Sequence, residues 1–312
     1  MAMSTIVSHE FSPAYSRLTE DEFSEKIRKA GEIIRDCTLC PRECHVDRTS
    51  GEKGYCRTGE RPFVSSSGPH FGEESPLVGI YGSGTIFFGN CNLGCVFCQN
   101  YSISHLEEGE EISHERLADI MLSLQNSGCH NVNLVTPTHQ VPAILRALKK
   151  ACDRGLKIPL VYNCGGYEAG ETLKILEGIV DIYMPDIKYA DTKYSLKYSG
   201  AGDYPEIARR ALKEMHRQVG DLVMDERGIA KRGLLVRHLV LPEGIAGTEE
   251  VLKFIAEEIS KDTYVNIMDQ YHPCFKAFDN PPLDRRITKK EYSDAVQCAI
   301  RTGLRRIDGA TI

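Results

Sequence analysis

From about residue 84 onward the chain alternates short apolar, β-branched runs with amphipathic stretches of helical period, six times in series. The strand-like runs cover 85–89, 131–135, 158–162, 179–184, 234–241 and 264–268. The helix-like stretches cover 113–126, 142–154, 167–176, 204–219, 248–259 and 288–301. Strands separated by a helix in this way lie parallel, because a helix supplies the crossover that a hairpin turn cannot. Six such units fit an open doubly wound sheet or an incomplete barrel. Either one places its ligand-binding loops at the C-terminal ends of the strands. Thr288 and Glu291 form a capping-box pair at the last helix, and acidic residues follow Thr248.

The rest of the chain divides by composition. Residues 1–36 read as a leader and a helix over about 20–36, with Thr19 and Glu22 as a capping box and Leu18 and Phe23 at the staple positions. Residues 37–80 are rich in Cys, Gly, Pro and Ser and read as a small loop-built, metal-binding module. Residues 81–312 carry the β–α units and a C-terminal helix. A formal net charge of -6 argues against a non-specific nucleic-acid binder. No apolar run approaches the ~18 residues of a membrane span. The first thirty residues lack a basic-then-apolar leader pattern, so a cytoplasmic protein is expected. In such a chain, 12 cysteines point to metal or redox use rather than disulfides.

Seven of those cysteines form two groups. Cys91, Cys95 and Cys98 lie on one short loop just after the first strand. Three thiolates can hold three irons of a cubane cluster, leaving the fourth iron open; zinc is the other metal that favours such a group. Cys37, Cys40, Cys44 and Cys56 lie within twenty residues, among Gly51, Gly54 and Gly59. Four thiolates suit a closed tetrahedral zinc or an all-cysteine iron–sulfur cluster, and spacing does not choose between them. Further polar residues fall at strand ends: Thr136, Thr138 and His139, then Asn163, then Asp186 and Lys188, then His272. Asp186 and Lys188 stand two apart on an extended segment and so face the same way, a carboxylate beside an ammonium.

On these residues the sequence resembles the radical S-adenosylmethionine (SAM) superfamily, whose hallmark is C-x3-C-x-aromatic-C after the first strand of a partial (β/α)6 barrel. Here the hallmark is Cys91-Asn-Leu-Gly-Cys95-Val-Phe97-Cys98. The resemblance spans about residues 84–275. It implies a 4Fe–4S cluster on Cys91, Cys95 and Cys98, with SAM on the open iron. It also implies reductive cleavage of SAM to a 5′-deoxyadenosyl radical that abstracts hydrogen from a substrate. Phe97 is then expected to stack on adenine.

Within the superfamily the chain is most similar to pyruvate formate-lyase activating enzymes and their uncharacterised relatives. Met184-Pro-Asp186-Ile-Lys188 resembles the segment whose Met and Asp lie near SAM and a monovalent cation and whose Lys contacts SAM. Asn163-Cys164-Gly165-Gly166 resembles the ribose-side and cation-side loop, and His272, after Tyr271, the SAM-contacting His. Thr136-Pro137-Thr138-His139 stands where the superfamily has a Gly-Gly-Glu that receives the SAM amino group. That Glu is absent here, so backbone carbonyls, the Thr136 and Thr138 hydroxyls or His139 are expected in its place. The resemblance further implies a reductant such as flavodoxin or ferredoxin and a protein or peptide substrate. The stretch 81–89 has neither the Trp nor the Arg that leads into the triad in activators of glycyl-radical enzymes.

The competing reading is a non-catalytic iron–sulfur electron carrier or a zinc-stapled binding module. It accounts for both cysteine groups but not for polar residues at four other strand ends. Cys164 and Cys274 sit at strand ends as hydrogen donors, metal ligands or small packing residues. The acidic run at 107–111 and the basic residues around the last helix read as solvated faces. Gly82-x-Gly84 precedes a strand and lacks a third glycine, so it is no dinucleotide fingerprint.

Overall fold

The computed structural model describes residues 11–308, so residues 1–10 of the expected leader lie outside the described part. The strands are β1 (Phe63–His70), β2 (Ser83–Phe88), β3 (Glu110–Glu111), β4 (Val132–Val135), β5 (Leu160–Cys164), β6 (Ile182–Pro185), β7 (Val223–Met224), β8 (Ala230–Leu239), β9 (Tyr264–Met268) and β10 (Arg306–Asp308). The helices are α1 (Glu20–Ile33), α2 (Ser75–Val78), α3 (Tyr101–His105), α4 (His114–Asn126), α5 (Val141–Asp153), α6 (Gly170–Leu176), α7 (Thr192–Ser199), α8 (Tyr204–Val219), α9 (Thr248–Phe254) and α10 (Lys289–Arg301).

The sheet runs β10-β9-β8-β6-β5-β4-β2-β1-β3. Pairing is parallel from β2 through β4, β5, β6 and β8 to β9. These are the six strands expected from the alternation, in chain order, as a partial α/β barrel requires. Period two then sorts the side chains. Val132, Leu134, Leu234, Val236, Val265 and Ile267 join the main core against the helices. Their neighbours Asn133, Leu235, Arg237 and Asn266 face the opposite side, which is the inside of the curved sheet. α1 starts at the expected capping box: Thr19 Oγ1 accepts from Glu22 N, and the Glu22 carboxylate accepts from Thr19 N at 2.8 Å. Such caps contribute about 1 kcal/mol. The helix ends at Ile33, three residues short of expectation.

The stretch 37–80 is not loop throughout. β1 pairs antiparallel with β2 and extends the main sheet. Its sequence, with three serines, Gly68 and Pro69, lacks an apolar alternation because much of it lies at or near solvent. α2 then turns into the barrel. Leu77 is fully buried with Val161, Ile182, Met184, Leu222, Ala230 and Leu235 in a core of their own. Residues 73–78 therefore plug the inside of the sheet, whereas Phe71 and Gly72 stay exposed. No helix among the described residues is long and apolar enough to cross a membrane.

Candidate active site at the strand ends

The triad loop leaves β2 and is pinned on several sides. Gly94 N donates to Ser199 O, Val96 N to Tyr198 O, and Lys276 N donates to Val96 O. Asn92 Nδ2 donates to Tyr167 O at 2.7 Å. Each triad sulfur has a polar neighbour. Leu93 N donates to Cys91 Sγ at 3.3 Å, Ser199 Oγ donates to Cys95 Sγ at 3.0 Å, and Ser104 Oγ lies 3.2 Å from Cys98 Sγ. Burial pushes the Cys91 and Cys95 thiols up, and the Lys188 ammonium pulls both back. Polar donors on sulfur, with a cation close by, suit thiolates that carry the charge of an iron–sulfur cluster. The donor set therefore fits the expected cluster.

The ends of β5, β6 and β8 bring a second group together. Asp186 Oδ2 accepts from Lys188 Nζ at 2.6 Å and Asp186 Oδ1 from Arg237 Nε at 2.8 Å. Arg237 Nη2 also donates to Asn163 Oδ1 at 2.9 Å. Burial alone would raise the Asp186 carboxyl; Arg237 and Lys188 outweigh it and hold it at about 2. Lys188 is likewise raised, its burial outweighed by Asp186. From the plug, Glu73 lies 3.5 Å from Arg237, and Glu74 accepts from Asn266 Nδ2 at 2.9 Å. Both carboxylate oxygens of Asp186 are thus taken by cations. Met184 lies buried directly below, in the plug core.

The backbone beneath this group is set by Tyr204 and by one glycine. The Tyr204 hydroxyl accepts from Lys188 N at 2.9 Å and lies within hydrogen-bond reach of the Gly165 and Asp186 carbonyls. Gly166 has φ +76°, and a Cβ there would come 2.5 Å from Asp186 O. Only glycine lets the 163–166 loop approach β6 so closely. Phe97 is buried and meets Tyr189 and Tyr271 edge-on, with centroids 6.3 and 6.0 Å away. His272 is half-buried, its Nδ1 3.4 Å from Nε2 of Gln99, the residue after the triad.

Two expected ligand residues lie elsewhere. Thr136 takes a left-handed φ of 58° and its N–H donates to Asn163 O. A 3-10 turn then redirects the chain. Thr138 Oγ1 donates to Glu168 at 2.7 Å, in a buried pair that Tyr162 joins, and burial pushes the Glu168 carboxyl up to about 7. His139 faces the N-terminal cysteines: with Cys37, Cys40, Cys44 and Cys56 it lines one small pocket, along with Leu39, Arg48 and Gly54. Its Nε2 donates to Gly89 O at 2.9 Å. Cys164 is buried in the main core, whereas Cys274 is half-exposed.

Sequence reasoning missed Arg237, Tyr204, Ser199 and the two plug carboxylates. Arg237 had a signal: it is a charged residue inside the apolar run 234–241, at a position whose neighbours in period two face inward. Tyr204 and Ser199 carried none, because each acts from a helix end on a loop distant in sequence.

Residues 85–255 match the family model described as the radical SAM superfamily. The chain is 32% identical over 289 residues to the uncharacterised protein MJ0674 of Methanocaldococcus jannaschii, covering 89% of this chain and 78% of that protein. It is 24% identical to a second uncharacterised protein of the same organism, MJ0808, over 79% of this chain and 73% of that one. Among solved structures, a radical SAM methyltransferase from Sphaerobacter thermophilus superposes with a TM-score of 0.48 at 12% identity, covering 72% of this chain and 64% of its own. SuiB from Streptococcus suis, solved with its precursor peptide SuiA, gives 0.49 at 14% identity, over 71% and 47%. This chain therefore spans less than two thirds of either structure's length.

Proposed function

Since the chain belongs to the radical SAM superfamily, and so to enzymes of SAM-dependent radical chemistry that use an iron–sulfur cluster, we propose which of its residues serve that chemistry and on what substrate. Cys91, Cys95 and Cys98 hold the 4Fe–4S cluster. When bound, the cluster and SAM supply a carbon radical able to take hydrogen from an unactivated C–H bond. The observation that carries the reading is the convergence of Asp186, Lys188, Arg237 and Asn163 at adjoining strand ends.

In this reading Lys188 and Arg237 bind the carboxylate end of SAM, and Asp186 fixes their geometry as a shared counter-ion. Asn163 and the tight Gly165-Gly166 turn admit the ribose. Met184 closes the floor and His272 the rim. Phe97 orders the triad loop through its edge contacts and presents its ring to adenine. Thr136 offers a carbonyl and hydroxyl to the SAM amino group. Thr138 and His139 serve from behind, through Glu168 and Gly89. Arg237 supplies the positive charge beside Asp186 that a monovalent cation would otherwise bring. A buried, plugged lumen keeps water from the reacting atoms.

The substrate is a protein or peptide, and electrons arrive from a reduced flavodoxin or ferredoxin. That class follows from the likeness of residues 163–166, 184–188 and 271–272 to the activating enzymes. The missing Trp and Arg before the triad separate it from activators of glycyl-radical enzymes. The Cys37, Cys40, Cys44 and Cys56 module holds a second metal centre. The test is anaerobic reconstitution followed by SAM and dithionite. Release of 5′-deoxyadenosine supports the reading; iron uptake with reversible reduction but intact SAM would leave an electron carrier.

A further inference from the structure

We infer that Cys37, Cys40, Cys44 and Cys56 hold a polynuclear iron–sulfur cluster, not a single zinc, and that Arg48 and His139 are the polar groups that face it. The inference rests on the second-centre reading above and is independent of SAM chemistry.

Apart from one 3-10 turn at Arg48–Ser50, the loop is folded back on itself without regular structure. Cys37 N donates to Val46 O, His45 N to Cys37 O, Glu43 N to Cys40 O and Arg57 N to Gly54 O. These turns bring four thiols, far apart in a loop, around one enclosed pocket. Gly54 is required there: a Cβ would stand 2.6 Å from Cys44 Cβ and 2.7 Å from its sulfur. Tyr55 N already donates to Cys44 Sγ at 3.2 Å.

The pocket is short of negative charge and of one acceptor–donor match. Arg48 is 3% exposed, yet the groups it donates to, Gly59 O and His139 O, are carbonyls, and its Nη1 has no partner. Among the described residues no carboxylate pairs with it. His139 is 1% exposed, and with Nε2 on Gly89 O its Nδ1 also lacks a partner. A guanidinium buried without a counter-ion is costly. A metal centre on four thiolates supplies the missing anion, with sulfurs to accept from Arg48 Nη1.

Size separates the two metals. A tetrahedral zinc needs all four sulfurs within ~2.3 Å of one point. Among the described residues, no three Cys, His, Asp or Glu side chains are grouped closely enough to share one ion. The same holds for Cys91, Cys95 and Cys98, the motif cysteines of a family whose clusters contain several irons. The N-terminal thiols and the triad are alike in that neither set is drawn together around a single ion. His139 also ties the two cysteine groups together, since Gly89 precedes Cys91 by two residues.

The test uses the full chain carrying Cys91→Ala, Cys95→Ala and Cys98→Ala, reconstituted anaerobically with iron and sulfide. About four irons and four labile sulfides should remain per chain. Adding Cys40→Ala and Cys56→Ala should remove them. One zinc without sulfide, or no metal in a folded chain, overturns the inference. If these variants do not fold, the wild-type chain decides: about eight irons support it, whereas four irons with one zinc overturn it. Arg48→Met should lower the midpoint potential of the retained cluster and Arg48→Lys should restore it; an unchanged potential in the Met variant removes Arg48 from the account. Failure of SAM cleavage in the wild type would overturn the proposed function alone, because the triad-free iron count does not depend on it.

Discussion

Arg237 Nε lies 2.8 Å from Asp186 Oδ1, joining β8 to β6 on the inward face of the sheet. With Lys188 on the other oxygen, Asp186 is the shared anion of two half-buried cations. Arg237→Ala leaves Asn163 and the plug carboxylate Glu73 facing an unfilled space. Breaking a fully buried pair costs about 3–5 kcal/mol, and this half-buried one costs less. The expected outcome is a lower melting temperature together with weaker SAM binding, read by calorimetry and isothermal titration. Wild-type SAM affinity in a folded Arg237→Ala protein would exclude Arg237 from the site.

Tyr204→Phe removes the one hydroxyl that receives Lys188 N. An amide left buried without a partner costs about 1–3 kcal/mol. The variant should melt earlier and show a raised KM for SAM, with kcat less affected. Unchanged values of both would show that the β6 end holds its shape without the phenol.

Gly54→Ala places a Cβ against Cys44 Cβ and Sγ. The variant should lose metal from the N-terminal group while keeping the triad cluster. Iron and sulfide counts on the purified protein check this. Full occupancy in the variant would mean that the loop adapts around the methyl.

Asp181 is buried where Ala14 N and Leu160 N donate to its two oxygens, at 2.8 and 2.9 Å. Burial raises it to about 6, against the pull of those two donors. In the unfolded chain it titrates near 4. Between these values the folded chain binds the extra proton, so the contribution to stability is full below about pH 4 and is lost as pH rises to about 6. Over that window wild type should lose up to about 3 kcal/mol relative to Asp181→Asn, at ~1.36 kcal/mol per pH unit. Denaturant titrations at a series of pH values check the difference. Parallel pH curves for the two proteins would contradict it.

The six strand–helix units and both cysteine groups were legible because each is a local pattern. Apolar periodicity reports burial on one face, and thiol spacing reports a shared loop. β9 and α8 fall on the expected residues, and the capping boxes at Thr19 and Thr288 start α1 and α10 as expected. β1 was not legible, since a half-exposed strand of Ser, Gly and Pro has no apolar alternation. Nor was the plug: whether Leu77 fills the barrel or covers its outside depends on the path of the chain, not on local pattern. His139 shows the same limit at the site. Its place after β4 suggested the SAM side, but a single 3-10 turn over Thr138–Gln140 sends it to the N-terminal cysteines.

The central claim is that the triad leaves one iron free for SAM. Electron–nuclear double resonance on the dithionite-reduced enzyme, with SAM isotopically labelled in its amino and carboxylate groups, tests it directly. The account predicts hyperfine coupling from both labels in the wild type and none in Cys95→Ala. A reduced cluster whose spectrum SAM does not alter, and which shows no coupling to either label, would contradict it.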